Sequence, residues 1–193
     1  MTGTDQPVVA LVGSAGGLEA VGRVLSGLRE GFGAHVVVLI HQAPDRESEL
    51  VKLLSRGSVL PVSPAEHGAR LPTGRVTVAP PGKHVLITPG DRIALIASGA
   101  APPSRPSADL LLTSLATAAG SRAIAVVLSG GGHDGATGAT AIHVCGGTVV
   151  ASDVASSESP SMPLATIQRD DAIDHIVALD DVADLLTALI SGP

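Results

Sequence analysis

Aromatic residues, cysteine and long apolar runs are scarce in this sequence, and each scarcity narrows what the protein can be. One of the 193 residues is Phe, and Trp and Tyr are absent, so the core must be aliphatic. The single cysteine, Cys145, cannot form an internal disulfide, which fits a reducing compartment. We expect it to be a small buried residue rather than a nucleophile. No apolar run approaches the roughly 18 residues of a membrane helix, and "MTGTDQP" is not a signal-peptide start. A cytoplasmic protein without membrane insertion is expected.

Basic residues and cofactor motifs are scarce as well. The 12 Lys and Arg are outnumbered by 18 Asp and Glu, for a net charge of −6, and they are scattered. This pattern predicts no nucleic-acid partner. The glycine-rich stretches match neither GxGxxG nor a Walker A loop, and HExxH does not occur, so no metal and no organic cofactor is predicted. We interpret the following histidines as structural or surface residues: His35, His67, His84, His133, His143 and His175.

The length suits one domain spanning residues 1–193, and 45% hydrophobic residues are enough for a substantial core. Strand-like runs occur at 8–12, 35–40, 75–80, 84–88, 92–97, 123–129 and 147–152. Several of them alternate with helix-like patterns. This predicts an α/β fold of three layers, doubly wound around a mainly parallel sheet. Because short "PGK" and "PGD" turns join the three runs between 75 and 97, we expect an inserted antiparallel β-meander there.

Helix-like patterns lie at 17–29, 46–56, 107–120, 135–145 and 180–190. Ser107 is a plausible N-cap of one of them, and Gly120 is a matching stop. Two segments rich in Pro and Ser, 97–107 and 152–163, are interpreted as loops. Long loops in a compact domain often carry function, so both are candidate walls of a site.

Three polar residues follow three of the predicted strands: Ser14, His41 and Asp134. Ligands of open parallel sheets bind beyond the carboxyl ends of the strands. A serine nucleophile needs a base, and the imidazole base needs an acceptor that orients it, so the residue types are those of a catalytic triad. The glycines of "GSAGG" and "GGGHDG" keep bulk away and leave backbone N–H groups free for an oxyanion.

Each residue also has a simpler interpretation. Ser14 in a glycine-rich turn can be an N-cap, and Asp134 can cap the helix that follows it. His41 can be an ordinary residue at a strand end. The opening motif also departs from the GxSxG elbow of α/β-hydrolases. The residues alone leave the triad and the capping interpretations both open.

Six segments follow one another along the chain: "GSAGGLEAV", "VVVLIHQAPDRESELVKLLSR", "VTVAPPGKHVLI", "RPSADLLLTSLA", "AVVLSGGGHDGATGA" and "SPSMPLATI". Together they resemble the catalytic domain of CheB-type protein-glutamate methylesterases, the enzymes that demethylate chemotaxis receptors. The resemblance implies Ser14 as nucleophile, His41 as base and Asp134 as its partner, with no cofactor. Backbone N–H groups of Ala15 and Gly131 would then hold the oxyanion.

The sequence departs from the family pattern at three positions. Ala15 replaces the usual threonine, Gly131 the usual methionine, and Ser161 the usual glycine before Met-Pro. The phospho-receiver domain common in the family is not expected either, because residues 1 to 7 are too few to form one.

The expected function is a serine hydrolase that removes methyl esters from glutamate side chains of chemotaxis-receptor-type proteins, with glutamine deamidation as a second activity. One alternative keeps the chemistry and changes the substrate to another protein or small-molecule ester. The other alternative is a catalytically weak protein-binding module.

Overall fold

The computed structural model describes residues 6–44, 48–97, 106–169 and 171–191, and over these ranges the chain forms strands that alternate with helices. The strands are β1 (Val8–Gly13), β2 (His35–Ile40), β3 (Val62–Pro64), β4 (Val76–Val78), β5 (Lys83–Thr88), β6 (Arg92–Ala97), β7 (Ala123–Val127), β8 (Thr148–Ser152) and β9 (His175–Val177). The helices are α1 (Gly17–Gly27), α2 (Leu50–Ser55), α3 (Ala108–Ala119), α4 (Ala136–Val144), α5 (Ser161–Ile167) and α6 (Val182–Ser191).

Seven of the strands in the described ranges form one sheet in the order β3-β4-β2-β1-β7-β8-β9. Every neighbouring pair in it is parallel. The central strands β1, β2 and β7 are buried at every residue, as expected of strands that are covered on both faces. The predicted α/β fold with a mainly parallel sheet is therefore confirmed.

The two faces of the sheet carry separate apolar clusters. Along β1, Val9 and Leu11 point into the cluster that includes α1, α2 and α6. Val8, Ala10 and Val12 point into the other cluster, where α3, α4, Met162 of α5 and the β5–β6 hairpin pack. This alternation follows from the two-residue period of a strand, and it produces the three layers predicted from the sequence.

The predicted meander at 75–97 is correct for its second and third runs and wrong for the first. β5 and β6 pair antiparallel, Lys83 with Ala97 through Thr88 with Arg92. β4, however, pairs parallel with β2 and with β3 inside the main sheet. All three residues of β4 are buried, and a position inside the sheet covers both faces of the strand, whereas a hairpin would leave one face exposed to solvent. The turn through Gly82, whose φ is 69°, then leads the chain out to the hairpin.

Most helix predictions are confirmed, and the exceptions have physical causes. Ser107 caps α3 by accepting a hydrogen bond from the Leu110 N–H at 3.4 Å, and Gly120 ends that helix with φ 56°. The predicted loop at 152–163 instead contains the start of α5 at Ser161. Pro163 does not prevent this helix, because it lies in the first turn, where proline is tolerated. The predicted loop at 97–107 lies mostly outside the described residues.

Cys145 is exposed at the end of α4, so the expectation that it is buried was wrong. Of the helices that the structure describes, none is long and apolar enough to cross a membrane.

The order of the strands places the functional edge of the sheet. The chain runs from β1 to β2 on one side and later returns to β7 on the other side, so β1 lies between them at the switch in strand order. Grooves at such switch points, beyond the carboxyl ends of the strands, are where doubly wound sheets bind ligands. Ser14, His41 and Asp134 all follow these three strands.

Candidate active site

Ser14 occupies the first position of a tight turn between β1 and α1. The Gly17 N–H donates to the Ser14 carbonyl at 2.8 Å, and Gly16 has φ 72° and ψ −4°. These angles at the third position, with a negative φ at Ala15, define a type II turn. The Ser14 N–H donates to the Ser129 carbonyl of the neighbouring chain segment at 2.9 Å. The turn therefore holds a half-buried serine at the edge of the sheet, directly before a helix N-terminus.

His41 lies on the adjacent strand at the same level. Gly13 and Ile40 are paired in the parallel register of β1 and β2, and Ser14 and His41 are the next residue on each strand. The His41 N–H donates to the Gly13 carbonyl at 3.1 Å, which fixes its backbone beside the serine turn. The imidazole Nε2 lies 2.8 Å from Asp134 Oδ2. Strand register thus places His41 beside Ser14, 27 positions earlier, and the segment that follows β7 brings Asp134 to the imidazole.

The Asp134 carboxylate has a complete set of hydrogen-bond donors. Oδ2 accepts from His41 Nε2 and from the Ala108 N–H at 2.7 Å. Oδ1 accepts from the Asp109 N–H at 3.0 Å and from Ser107 Oγ at 3.1 Å. Three of these four donors belong to the N-terminus of α3, where a negative charge is stabilised by the helix dipole. The carboxylate is therefore fixed in both position and charge.

Asp134 does not cap its own helix, contrary to the simpler interpretation. The cap of α4 is instead Asp109 of α3, whose Oδ1 accepts from the Gly135 and Gly138 N–H groups at 2.9 and 2.8 Å. Asp134 caps α3 in return. Gly138 permits this exchange, because a Cβ there would lie 2.5 Å from Leu112 Cβ. The two helices are thus joined by reciprocal carboxylate caps, and one of these carboxylates also contacts the imidazole.

These contacts set the protonation of the pair. Burial of the Asp134 carboxyl raises its pKa, but the hydrogen bonds from His41, Asp109 and Ala108 and the charge of His41 together lower it. The net pKa of Asp134 lies below its ordinary value of 3.8. The group is therefore an anion at neutral pH and can only accept hydrogen bonds. Nε2 of His41 must then carry the proton, which leaves the lone pair on Nδ1 as the basic site of the neutral ring.

The serine hydroxyl and the imidazole are not hydrogen-bonded to each other among the described contacts. Catalytic hydrogen bonds of this kind are often long in the free enzyme and shorten when substrate binds. The two N–H groups predicted as oxyanion donors, Ala15 and Gly131, belong to exposed residues, and no hydrogen bond between described residues uses either N–H. A Cβ at Gly131 would meet open space.

Two contacts around Ser14 escape sequence reasoning. The place where a Gly130 Cβ would stand lies 2.1 Å from Met162 Sδ and 3.0 Å from Ser14 Cβ. The Met162 N–H donates to the Gly130 carbonyl at 2.9 Å, and the Met162 side chain is fully buried. Gly130 therefore lies between Met162 and the Ser14 turn, with no space for a side chain of its own. The glycine run and the Met-Pro pair are visible in the sequence, but their contact is not.

Comparison of the sequence and structure with known proteins identifies the family of this chain. The profile of the CheB methylesterase family matches residues 9–186. The chain belongs to the CheB methylesterase family. Its fold is that of the CheB methylesterase catalytic domain of Thermotoga maritima, with a TM-score of 0.89, 29% sequence identity, and coverage of 96% of this chain and 99% of that one.

Curated relatives of the CheB methylesterase family agree with this assignment. Protein-glutamate methylesterase FrzG of Myxococcus xanthus is 40% identical over 81% of this chain and 47% of its own length. Protein-glutamate methylesterase/protein-glutamine glutaminase 2 of Anaeromyxobacter dehalogenans is 36% identical over 94% of this chain and 53% of its own length. The chain thus spans about half the length of these relatives.

In the part of the chain that the structure describes, no group of three or more His, Cys, Asp or Glu side chains is arranged to hold a metal ion. Of the three departures from the family pattern, Ala15 and Gly131 are exposed beside the turn, and Ser161 is exposed at the start of α5. No hydrogen bond between described residues joins any of the three to His41 or Asp134.

Proposed function

We propose that this protein is a serine hydrolase of glutamyl methyl esters in chemotaxis-receptor-type proteins, with Ser14 as nucleophile, His41 as base and Asp134 as the group that orients His41. The observation that carries the proposal is the 2.8 Å contact between His41 Nε2 and a carboxylate held by three further donors, with the imidazole one strand from Ser14. Membership in the CheB methylesterase family supports the choice of substrate.

In the first half of the reaction, Ser14 Oγ attacks the ester carbonyl carbon while Nδ1 of His41 takes its proton. The Oγ–C bond forms, and the tetrahedral intermediate then breaks its bond to the methoxy oxygen. The imidazolium returns its proton to that oxygen, so methanol leaves and a glutamyl-serine ester remains. The Asp134 anion stabilises the imidazolium between these two transfers.

In the second half, a water molecule gives a proton to Nδ1 and attacks the acyl carbon. The bond to Ser14 Oγ breaks, the proton passes from Nδ1 to that oxygen, and the products are free serine and the glutamate carboxyl group, which releases its proton to solvent. Backbone N–H groups of Ala15 and Gly131 donate to the oxyanion in both halves. Each such donor is worth about 10²- to 10³-fold in rate.

Glutamine deamidation is a second candidate activity of the same site. The names of several relatives include protein-glutamine glutaminase. The same acyl-serine forms from a primary amide if the His41 imidazolium protonates the amide nitrogen as the C–N bond breaks, so that ammonia leaves. No additional group is required for this reaction, because the leaving nitrogen takes the position of the methoxy oxygen.

The setting we propose is the cytoplasm, with methylated receptors as protein partners. A net charge of −6 and the absence of a basic cluster favour a protein partner over nucleic acid. The single exposed cysteine, Cys145, is consistent with a reducing compartment.

A fluorophosphonate probe tests whether the protein is a serine hydrolase or only a binding module. We expect the wild type to be labelled on Ser14, as located by peptide mass spectrometry, and Ser14→Ala to remain unlabelled. His41→Gln should slow labelling, since it removes the base. Labelling of the wild type at another serine, or none at all, would contradict the proposal. An active protein that hydrolyses simple esters but not methylated receptor fragments would support the alternative with a different substrate.

A further inference from the structure

We propose that Ser129 is a positioning residue for the nucleophile turn, because its hydroxyl fixes the peptide between Ala15 and Gly16. The inference rests on the proposed function of Ser14. Ser129 itself touches no reacting atom in this scheme. Its role is to hold the Gly16 N–H in one orientation beside Ser14, where it adds a third oxyanion donor to the Ala15 and Gly131 N–H groups.

Ser129 contacts the nucleophile turn from two directions. Its backbone carbonyl accepts the Ser14 N–H at 2.9 Å. Its Oγ donates to the Ala15 carbonyl at 2.8 Å and accepts the Ser159 N–H at 2.9 Å. Ser129 is only 2% exposed, so water does not readily replace these bonds. One buried side chain therefore joins the turn to the loop that precedes α5.

The type II turn makes the Ala15 carbonyl important. Types I and II differ by a flip of the peptide between their second and third residues, and Gly16 has no Cβ to oppose either conformation. Of the hydrogen bonds between described residues, only the one from Ser129 Oγ reaches the Ala15 carbonyl. Its loss would leave the central peptide of the turn free to flip.

The orientation of this peptide determines where the Gly16 N–H points. In a trans peptide the C=O and the N–H point in opposite directions. Because the Ala15 carbonyl points to Ser129, the Gly16 N–H points away from Ser129 and lies at the N-terminus of α1. No hydrogen bond between described residues uses this N–H. It is available to an oxyanion at Ser14 only while the carbonyl is held.

The packing around Gly16 supports the same conclusion. A Cβ on Gly16 would lie 2.7 Å from Ser129 Oγ and 2.8 Å from Glu158 Oε2. The turn therefore lies directly on the serine hydroxyl, with no space for a side chain between them. This close approach explains why a glycine stands at the third position of the turn as well as why it can adopt φ 72°.

The kinetic test compares Ser129→Ala with Ser129→Thr, which keeps the hydroxyl, and with Ser152→Ala as the matched control. Ser152 is 1% exposed and bonds to Ser157 Oγ at 2.9 Å, so it anchors the same loop without touching the turn. On a methyl-ester substrate we expect Ser129→Ala to lower kcat by about tenfold to a hundredfold at unchanged KM, because the lost interaction forms only in the transition state. Ser129→Thr should recover most of kcat, and Ser152→Ala should stay within about twofold of the wild type.

A loss confined to KM, or an equal loss in Ser129→Ala and Ser152→Ala, would overturn the inference, because either result indicates a merely structural role. A kcat within about twofold of the wild type in a folded Ser129→Ala protein would do the same.

Nuclear magnetic resonance tests the positioning without any substrate. In Ser129→Ala we expect the coupling constant of the Gly16 amide to report a changed φ and the Ser159 amide to exchange faster, while Ser129→Thr resembles the wild type. An unchanged Gly16 φ and an unchanged Ser159 amide would overturn the inference. If the wild type neither hydrolyses esters nor reacts with the probe, the proposed function fails, and this measurement still decides whether Ser129 holds the peptide.

Discussion

Replacing Asp134 with asparagine exchanges one carboxylate oxygen for an NH₂ group and removes the negative charge. The hydrogen bonds of Asp134 show what this exchange does to stability and to activity. Oδ2 faces His41 Nε2 and the Ala108 N–H, and Oδ1 faces the Asp109 N–H and Ser107 Oγ. Whichever oxygen becomes NH₂, it meets a backbone N–H at 2.7 or 3.0 Å, donor against donor. An unsatisfied donor of this kind costs about 1–3 kcal/mol of unfolding free energy. Asparagine is thus not a neutral replacement here, although it is an adequate cap elsewhere.

The effect on activity depends on which way the amide turns. With NH₂ in place of Oδ1, the imidazole keeps its tautomer and loses only the neighbouring anion. A nearby opposite charge stabilises an ionised group by about tenfold to 10³-fold, and the imidazolium loses that stabilisation. With NH₂ in place of Oδ2, the tautomer is inverted, and in a serine-protease triad that change costs about 10⁴ in kcat. We therefore expect kcat for ester hydrolysis to fall by about tenfold to 10⁴-fold, depending on the orientation of the amide.

The assay is methanol release from a methylated receptor fragment, or hydrolysis of an activated ester, with unfolding followed in parallel. Asp109→Asn is the matched control, because it removes the same charge close to the site. Its amide oxygen can still accept from the Gly135 and Gly138 N–H groups, so activity should stay within a few-fold, on the order of an ordinary surface change. A loss below tenfold in Asp134→Asn, or equal losses in the two variants, would refute the assignment of Asp134 to the imidazole.

Three further predictions follow from the same contacts. The pKa of Asp134 is depressed below 3.8, so the stability that its charge contributes is present above that pH and is lost as pH falls through the lower pKa of the folded state. The difference in unfolding free energy between wild type and Asp134→Asn should therefore shrink on acidification below pH 3.8, as measured by urea titrations. A difference that stays constant with pH would contradict this prediction. Asp109→Ala leaves the Gly135 and Gly138 N–H groups without their cap and should cost about 0.5–2 kcal/mol in the same titrations, more than Asp109→Asn costs. Gly130→Ala places a methyl group 2.1 Å from Met162 Sδ and 3.0 Å from Ser14 Cβ, so it should destabilise the protein by about 1–3 kcal/mol and slow fluorophosphonate labelling. Labelling of this variant at the wild-type rate would contradict the prediction.

The central sheet and its functional edge were predictable from the sequence because both depend on short-range patterns. The runs that form β1, β2 and β7 are apolar at nearly every residue, with His35 at the start of β2 as the polar exception, and this indicates strands covered on both faces. Once those strands are parallel, the residues after them must lie at one edge. Ser14, His41 and Asp134 could therefore be grouped without any knowledge of distances.

The contacts that support the pair could not be predicted, because they join side chains to backbone groups far away in the sequence. Asp134 and Asp109 are 25 residues apart. Asp134 precedes α4 but caps α3, and Asp109 lies in α3 but caps α4. Local propensity identifies a capping residue but not the helix that it caps. The bond from Ser129 Oγ to Ala15 spans 114 residues and has no sequence signal at all.

The elements that were missed or misassigned are short or ambiguous. β3 and β9 have three residues each and lie at the two edges of the sheet, where little burial is required. The short apolar run of β4 is compatible with an antiparallel hairpin and with a parallel sheet, so its periodicity does not distinguish the two pairings. The helix α5 was hidden by Pro160 and Pro163, both of which it accommodates at its N-terminal end.

The most direct test of the central claim is methanol release from a methyl-esterified receptor fragment by the wild type and by Ser14→Ala. Ser14 makes no side-chain bond among the described contacts, so the variant should fold normally, as judged by an unchanged thermal transition. The account predicts steady methanol release by the wild type and a rate lower by about 10³-fold or more in the variant. A folded Ser14→Ala protein that releases methanol within tenfold of the wild-type rate would contradict it.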